Sequence, residues 1–121
     1  MEVILDSSFI ISCVRDRIDF LSQLEEQGFK VKVPRGVLQE MKDLKKKAKL
    51  SHEDRVAINV AFEIFQQRNI KKMTLGGKNV DEGLIEKGKQ GYYIATLDKN
   101  IKHNVPNKIV IFSAEGRVGV E

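Results

Sequence analysis

Cysteine, tryptophan and proline are nearly missing from this chain: it has one cysteine, no tryptophan and two prolines. A single cysteine closes no internal disulfide and builds no cysteine-rich zinc centre, and a chain without structural disulfides suits a reducing, cytoplasmic setting. Cys13 stands among Ile10, Ile11 and Val14, where a small apolar core residue belongs. Long hydrophobic runs are missing too. Segments such as Phe9-Ile10-Ile11 fall far short of the roughly 20 apolar residues that span a bilayer, so no membrane partner is expected. Met1 leads straight into a strand-like segment, with no secretion signal in view. Internal repeats and low-complexity tracts are lacking as well.

What is present describes one ordinary domain. The 121 residues are 41% hydrophobic and 31% charged, too apolar a balance for a disordered chain. The formal charge is +4, which suits contact with a polyanion but is shared by many proteins that bind none. Its placement is more informative, because Lys42, Lys45, Lys46, Lys47 and Lys49 crowd one stretch. With Arg35 they are the cations that such a polyanion would meet; a solvated helix end is the plainer reading of the run.

Short apolar runs at Val3-Ile4-Leu5, Phe29 to Val33, Tyr92 to Leu97 and Lys108 to Phe112 read as strands, with a weaker one at Ile70 to Met73. Helical stretches separate them: Ser7 to Val14, Asp16 to Gln27, Arg35 to about Lys47, Ser51 to Arg68, Val80 to Gln90 and Lys99 to His103. In the Ser51 helix, Val56, Ala57, Val60, Ala61, Ile64 and Phe65 form a wide apolar face. Alternating strands and helices predict an α/β protein, a three-layer α/β/α sandwich around a mainly parallel sheet of four to five strands. Residues 1–113 are expected to form the domain and 114–121 a short C-terminal tail. Leu75-Gly76-Gly77-Lys78 reads as a turn, since it lacks phosphate-loop spacing.

Ligands in such sheets bind beyond the carboxyl ends of the strands, at the point where strand order reverses. Asp6 and Asp98 follow two of the predicted strands, so their carboxylates share a rim if those strands are neighbours. Glu40 lies beside the core-facing stripe of Val37, Met41 and Leu44. Asp81 precedes Leu84 and Ile85 by three and four positions and so is expected on their buried face, whereas Glu82 aligns with Glu86. Singly, these acids read as helix caps, first-turn charges or solvated residues. Gathered at one edge they would repel each other and lose hydration, which calls for a positive charge between them. An all-oxygen set favours Mg²⁺ or Mn²⁺ over zinc.

Ile4-Leu5-Asp6-Ser7-Ser8-Phe9, Val33-Pro34 followed by Val37-Leu38-Gln39-Glu40, Val80-Asp81-Glu82, and Ala95-Thr96-Leu97-Asp98-Lys99 resemble, in order, the four sequence blocks of the PIN-domain family. The resemblance spans nearly the whole chain. It implies a metal-dependent endoribonuclease with Asp6, Glu40, Asp81 and Asp98 as catalytic, metal-binding acids for one or two ions. Ser7, Ser8 and Thr96 would hold carboxylates or a water by hydrogen bonds, and Glu82 stands where a second aspartate often follows. The last two blocks, joined by Gly91-Tyr92-Tyr93-Ile94, are most similar to PIN proteins of ribosomal RNA processing and their archaeal relatives. Toxin-type PIN ribonucleases are the close alternative. The implied substrate is RNA, single-stranded or structured, with Arg35, Lys42, Lys45, Lys46, Lys47 and Lys49 as its candidate phosphate contacts, and the partners left open are a second copy, an antitoxin or a ribosome-assembly complex. Metal chemistry needs no histidine base, in keeping with the poor placement of His52 and His103 for that role. A receiver-like signalling domain does not fit, because Asp98 and Lys99 are adjacent and the last predicted strand ends in Phe112-Ser113.

Overall fold

Val3, Ile4 and Leu5 are all fully buried, although neighbouring side chains of a strand point to opposite faces. Their strand, β1 (Glu2–Leu5), must therefore be covered on both sides. The computed structural model, which describes Met1–Glu121, places β1 in the middle of a six-stranded sheet of order β3-β2-β1-β4-β5-β6. The other strands are β2 (Lys30–Pro34), β3 (Lys71–Met73), β4 (Tyr93–Ala95), β5 (Lys108–Phe112) and β6 (Arg117–Val120). The first five run parallel, and β6 returns antiparallel along β5.

One face of the sheet, including Val3, Leu5, Val31 and Val33, joins the larger apolar core under helices α1 (Ser7–Arg15), α2 (Phe20–Glu26), α3 (Arg35–Lys45) and α4 (His52–Gln67). Ile4 and Ile94 face the other way, onto Leu84 of α5 (Val80–Lys89), Ile101 of α6 (Lys99–His103) and Val105. Edge-to-face contacts of Phe9 with Phe20, at 6.1 Å between centroids, and of Phe20 with Phe65, at 6.4 Å, tie α1, α2 and α4 into one body. The arrangement is the expected three-layer sandwich.

Two expectations change. The segment 114–121 is not a loose tail: after a 3-10 turn at Ser113–Glu115, Gly116 adopts a left-handed φ of 60° and turns the chain into β6. The free edge of β5 accepts this short hairpin return, and Val118 is fully buried with its N–H donated to Gln23 Oε1 at 2.8 Å and its carbonyl accepting from Gln27 Nε2 at 2.9 Å. That strand is why the sheet exceeds four to five strands. The apolar face of α4 is also rotated from its expected position. Ala57, Ile58, Ala61 and Phe65 are buried, while Val56 and Val60 are 43% and 36% exposed, because α1 packs on the side where the alanines permit close approach.

Close approach also governs α5. A Cβ on Gly88 would lie 2.4 Å from Val105 Cγ1 and 3.2 Å from Ile94 Cγ1, well inside contact distance. Gly88→Ala is therefore expected to lower stability by about 1–3 kcal/mol in denaturant unfolding, despite the better helix propensity of alanine.

Candidate active site

The strand order reverses between β1 and β4: β2 and β3 lie on one side of that boundary, β5 and β6 on the other. Leu5 pairs with Ala95 across it, so the chain leaves both strands at a common rim. Asp6 is the first residue beyond β1 and the N-cap of α1, its Oδ1 accepting the Ser7 N–H at 2.8 Å. Its own N–H donates to the Ala95 carbonyl at 2.9 Å. The residue is only 5% exposed.

A continuous set of hydrogen bonds runs outward from Asp6. The Thr96 hydroxyl, fully buried, donates to Asp6 Oδ2 at 2.7 Å and accepts the Asp98 N–H at 3.1 Å. Asp98 is in turn the N-cap of α6, with Oδ1 accepting the Ile101 N–H at 2.9 Å. On the other side, Ser7 Oγ donates to Glu40 Oε1 at 3.4 Å. Ser8 Oγ accepts the Leu97 N–H at 3.1 Å and clips the loop after β4 to the start of α1. The three hydroxyl residues singled out from the sequence thus sit between or beside Asp6, Glu40 and Asp98.

Asp81 is placed differently from the expectation. It is exposed in the first turn of α5, not on the buried face of Leu84, and the neighbouring Glu82 is half-buried with its N–H donated to Asn79 Oδ1 at 2.9 Å. Asn79 caps α5, and Gly83 in its first turns packs closely under the Gly76 carbonyl. Even so, the Asp81 charge reaches the centre.

The electrostatics follow from this crowding. Burial raises the Asp6 pKa above the usual carboxylate range, the Thr96 and Ser7 hydrogen bonds oppose the rise, and the charges of Asp81 and Asp98 add to it. Glu40 is likewise raised, by burial first and then by Asp6 and Asp81, with the Ser7 hydrogen bond opposing. Asp43 adds to the rise; it lies three residues from Glu40 and lines the same cleft of about 320 Å³ with Ser7, Leu44 and Lys47. Asp43 was not among the sequence candidates, although its i,i+3 spacing from Glu40 was visible. None of the chain's ion pairs involves Asp6, Glu40, Asp81 or Asp98. The set suits a hard divalent cation in kind, being all oxygen and negatively charged without a protein counter-ion. No three of its members are drawn tightly enough around one point to hold an ion as they stand.

The basic residues divide around α3. Lys47 shares the cleft with Glu40, while Lys42 and Lys45 flank the Phe62 ring, their ammonium groups 5.9 and 5.8 Å from its centroid. Lys46 and Lys49 are exposed. Arg55, which drew no notice in the sequence, donates to the Lys45 carbonyl and, at 3.1 Å, to that of Lys47, anchoring the end of α3. Arg35 donates to Thr74 Oγ1 at 3.2 Å. His52, at the start of α4, lines a separate cleft with Val56 and Val60, and His103 is exposed at the end of α6.

A carboxyl whose folded-state pKa is raised contributes stability that is full below its ordinary value and is lost as pH rises through the raised one. In metal-free buffer, Asp6→Asn is therefore expected to gain stability relative to the unsubstituted protein as pH climbs from about 4 to about 7. Denaturant midpoints for the two proteins across that range measure the difference; parallel curves would contradict the strained carboxylate.

No protein-family model matches the sequence, and no curated protein sequence matches it. Among solved structures, the PIN domain endonuclease Utp24 is similar over 99% of this chain and 90% of that one, with a TM-score of 0.72 at 20% sequence identity. The sheet order, the helices that enclose it and this likeness together show that the chain has the PIN-domain fold.

Proposed function

We propose that the chain is a metal-dependent endoribonuclease, hydrolysing RNA phosphodiester bonds at the rim formed by Asp6, Glu40, Asp81 and Asp98. The observation that carries this reading is the buried Asp6 carboxylate, hydrogen-bonded on both oxygens yet with no cationic side chain paired to it. Desolvating a carboxylate among like charges costs stability, and a cation-dependent function gives that cost a purpose. The endonuclease described for the structural neighbour supports the same reading. Ribosomal RNA maturation is the proposed setting, on the resemblance of the Val80 to Lys99 segment.

One or two Mg²⁺ or Mn²⁺ ions held by these acids would neutralise them and supply Lewis acidity toward a scissile phosphate and a water. The chain's own residues provide position. Thr96 fixes Asp6 and the backbone of Asp98 through one hydroxyl, so the two acids on either side of the β1–β4 boundary are held in a single register. Ser7 links Asp6 to Glu40 across the start of α1. Lys47, in the Glu40 cleft, offers positive charge to a phosphate without neutralising Asp6.

The lysine run, with Lys47 in the Glu40 cleft, fits a second reading equally well, an RNA-binding module of a ribosome-assembly complex that cuts slowly or not at all. Incubating the chain with a mixed pool of single-stranded and structured RNA, with and without Mn²⁺, separates the two. Cleavage is expected to need the metal and to fall about a hundredfold or more in Glu40→Gln. RNA left intact at saturating Mn²⁺ favours the module, and cleavage in chelator contradicts the metal mechanism. Thr96→Val keeps the side-chain shape while removing the hydroxyl, and it is expected to weaken Mn²⁺ binding by about 10–100-fold.

A further inference from the structure

The face of α3 opposite the acids borders a cleft of about 670 Å³ that the catalytic reading leaves unused. Its wall includes Arg35, Leu38 and Lys42 from α3, Phe62 and Gln66 from α4, Asn69 from the loop after α4, and Lys72 from β3. Successive helix residues are about 100° apart, so Leu38 and Lys42 stand on the opposite side of α3 from Glu40. The helix is therefore a partition between two clefts, acidic on one side and basic on the other.

The basic cleft carries three cations, Arg35, Lys42 and Lys72, and no acidic residue. Gln66, Asn69 and Lys72 are exposed, and none of the three makes a side-chain hydrogen bond or an ion pair within the chain. Asn69 is held at a left-handed φ of 50° where α4 ends. Lys42 instead rests against the Phe62 ring, an interaction that costs little to exchange for a phosphate at an exposed site. Arg35 also lines the loop cleft of Thr74 to Val80, so the basic cleft opens at the rim where α5 and α3 begin.

Cations spaced along a groove, amides that both donate and accept, and the half-buried Phe62 ring form the chemistry that holds a nucleic-acid single strand by backbone phosphates and unpaired bases. We propose that this cleft is a positioning site for single-stranded RNA, which passes Arg35 around the start of α3 on its way to the acidic rim. The proposal rests on the nuclease reading for its substrate but concerns binding away from the acids. Duplex RNA, with its bases paired inward, would leave the amides and Phe62 without partners.

The test is fluorescence anisotropy of a labelled single-stranded RNA oligonucleotide in chelator, with the full chain carrying Glu40→Gln so that cleavage plays no part. Lys72→Gln is expected to weaken binding about fivefold and to lower the slope of log affinity against log salt by about 0.7, one phosphate contact on a single strand. Gln66→Ala is expected to weaken the single strand while leaving the salt slope unchanged, and Lys89→Gln on α5 to change neither. A duplex of the same sequence should bind more weakly than the single strand. Lys72→Gln binding like its parent, equal binding of duplex and single strand, or no binding at all would overturn the cleft. Because none of these measurements requires metal, such a failure is separate from the loss of metal-dependent cleavage that would overturn the nuclease reading.

Discussion

A carboxylate buried at the end of a central parallel strand is the constraint around which this molecule is arranged. β1 is apolar along its buried length, as a strand covered on both faces must be, and its first residue beyond the sheet is an acid with 5% exposure. That acid has lost most of its hydration, and the protein compensates with the Ser7 N–H and the Thr96 hydroxyl while supplying no cation. Other parts of the rim answer to the same demand. Thr96 is fully buried because it must reach Asp6, and Ser8 clips the loop that carries Thr96 and Asp98. Asp98 caps α6 with one oxygen and keeps the other outside that bond.

Much of this was legible in the sequence because each signal is local. Continuous apolar runs mark buried parallel strands, and β5 falls where its run of Lys108 to Phe112 placed it. The start of α4 next to Ser51 and the α6 boundaries likewise depend on neighbours in sequence. Asp6 and Asp98 needed one non-local condition, adjacency of β1 and β4, which the sheet supplies.

What escaped the sequence was decided by tertiary partners. β6 looked like a polar tail because Gly116, Arg117 and Gly119 dilute its valines; the open edge of β5, Gln23 of α2 and Gln27 just after that helix make it a strand. The α4 face turned because α1 packs beside it, a choice that helical periodicity alone leaves open. The lysine run looked like one patch, yet α3 sends Lys42 and Lys47 to different clefts. Asp81 was expected inside because it shares helical spacing with Leu84, whereas the first turn of α5 stands at the rim and exposes it. Lys72 and Asn69 had no motif to announce them, since a cleft formed by two helices and an edge strand has no linear signature.

The fold and the acidic rim come together in the proposed function, in which a bound divalent cation would balance the charge around Asp6. Anomalous diffraction from crystals soaked in Mn²⁺ tests this most directly. The account predicts density for one or two ions within ligand distance of Asp6, with Glu40, Asp81 or Asp98 closing around it and Thr96 still bonded to the Asp6 carboxylate. Ordered Mn²⁺ elsewhere with none at Asp6, or an unchanged rim at saturating metal, would contradict it.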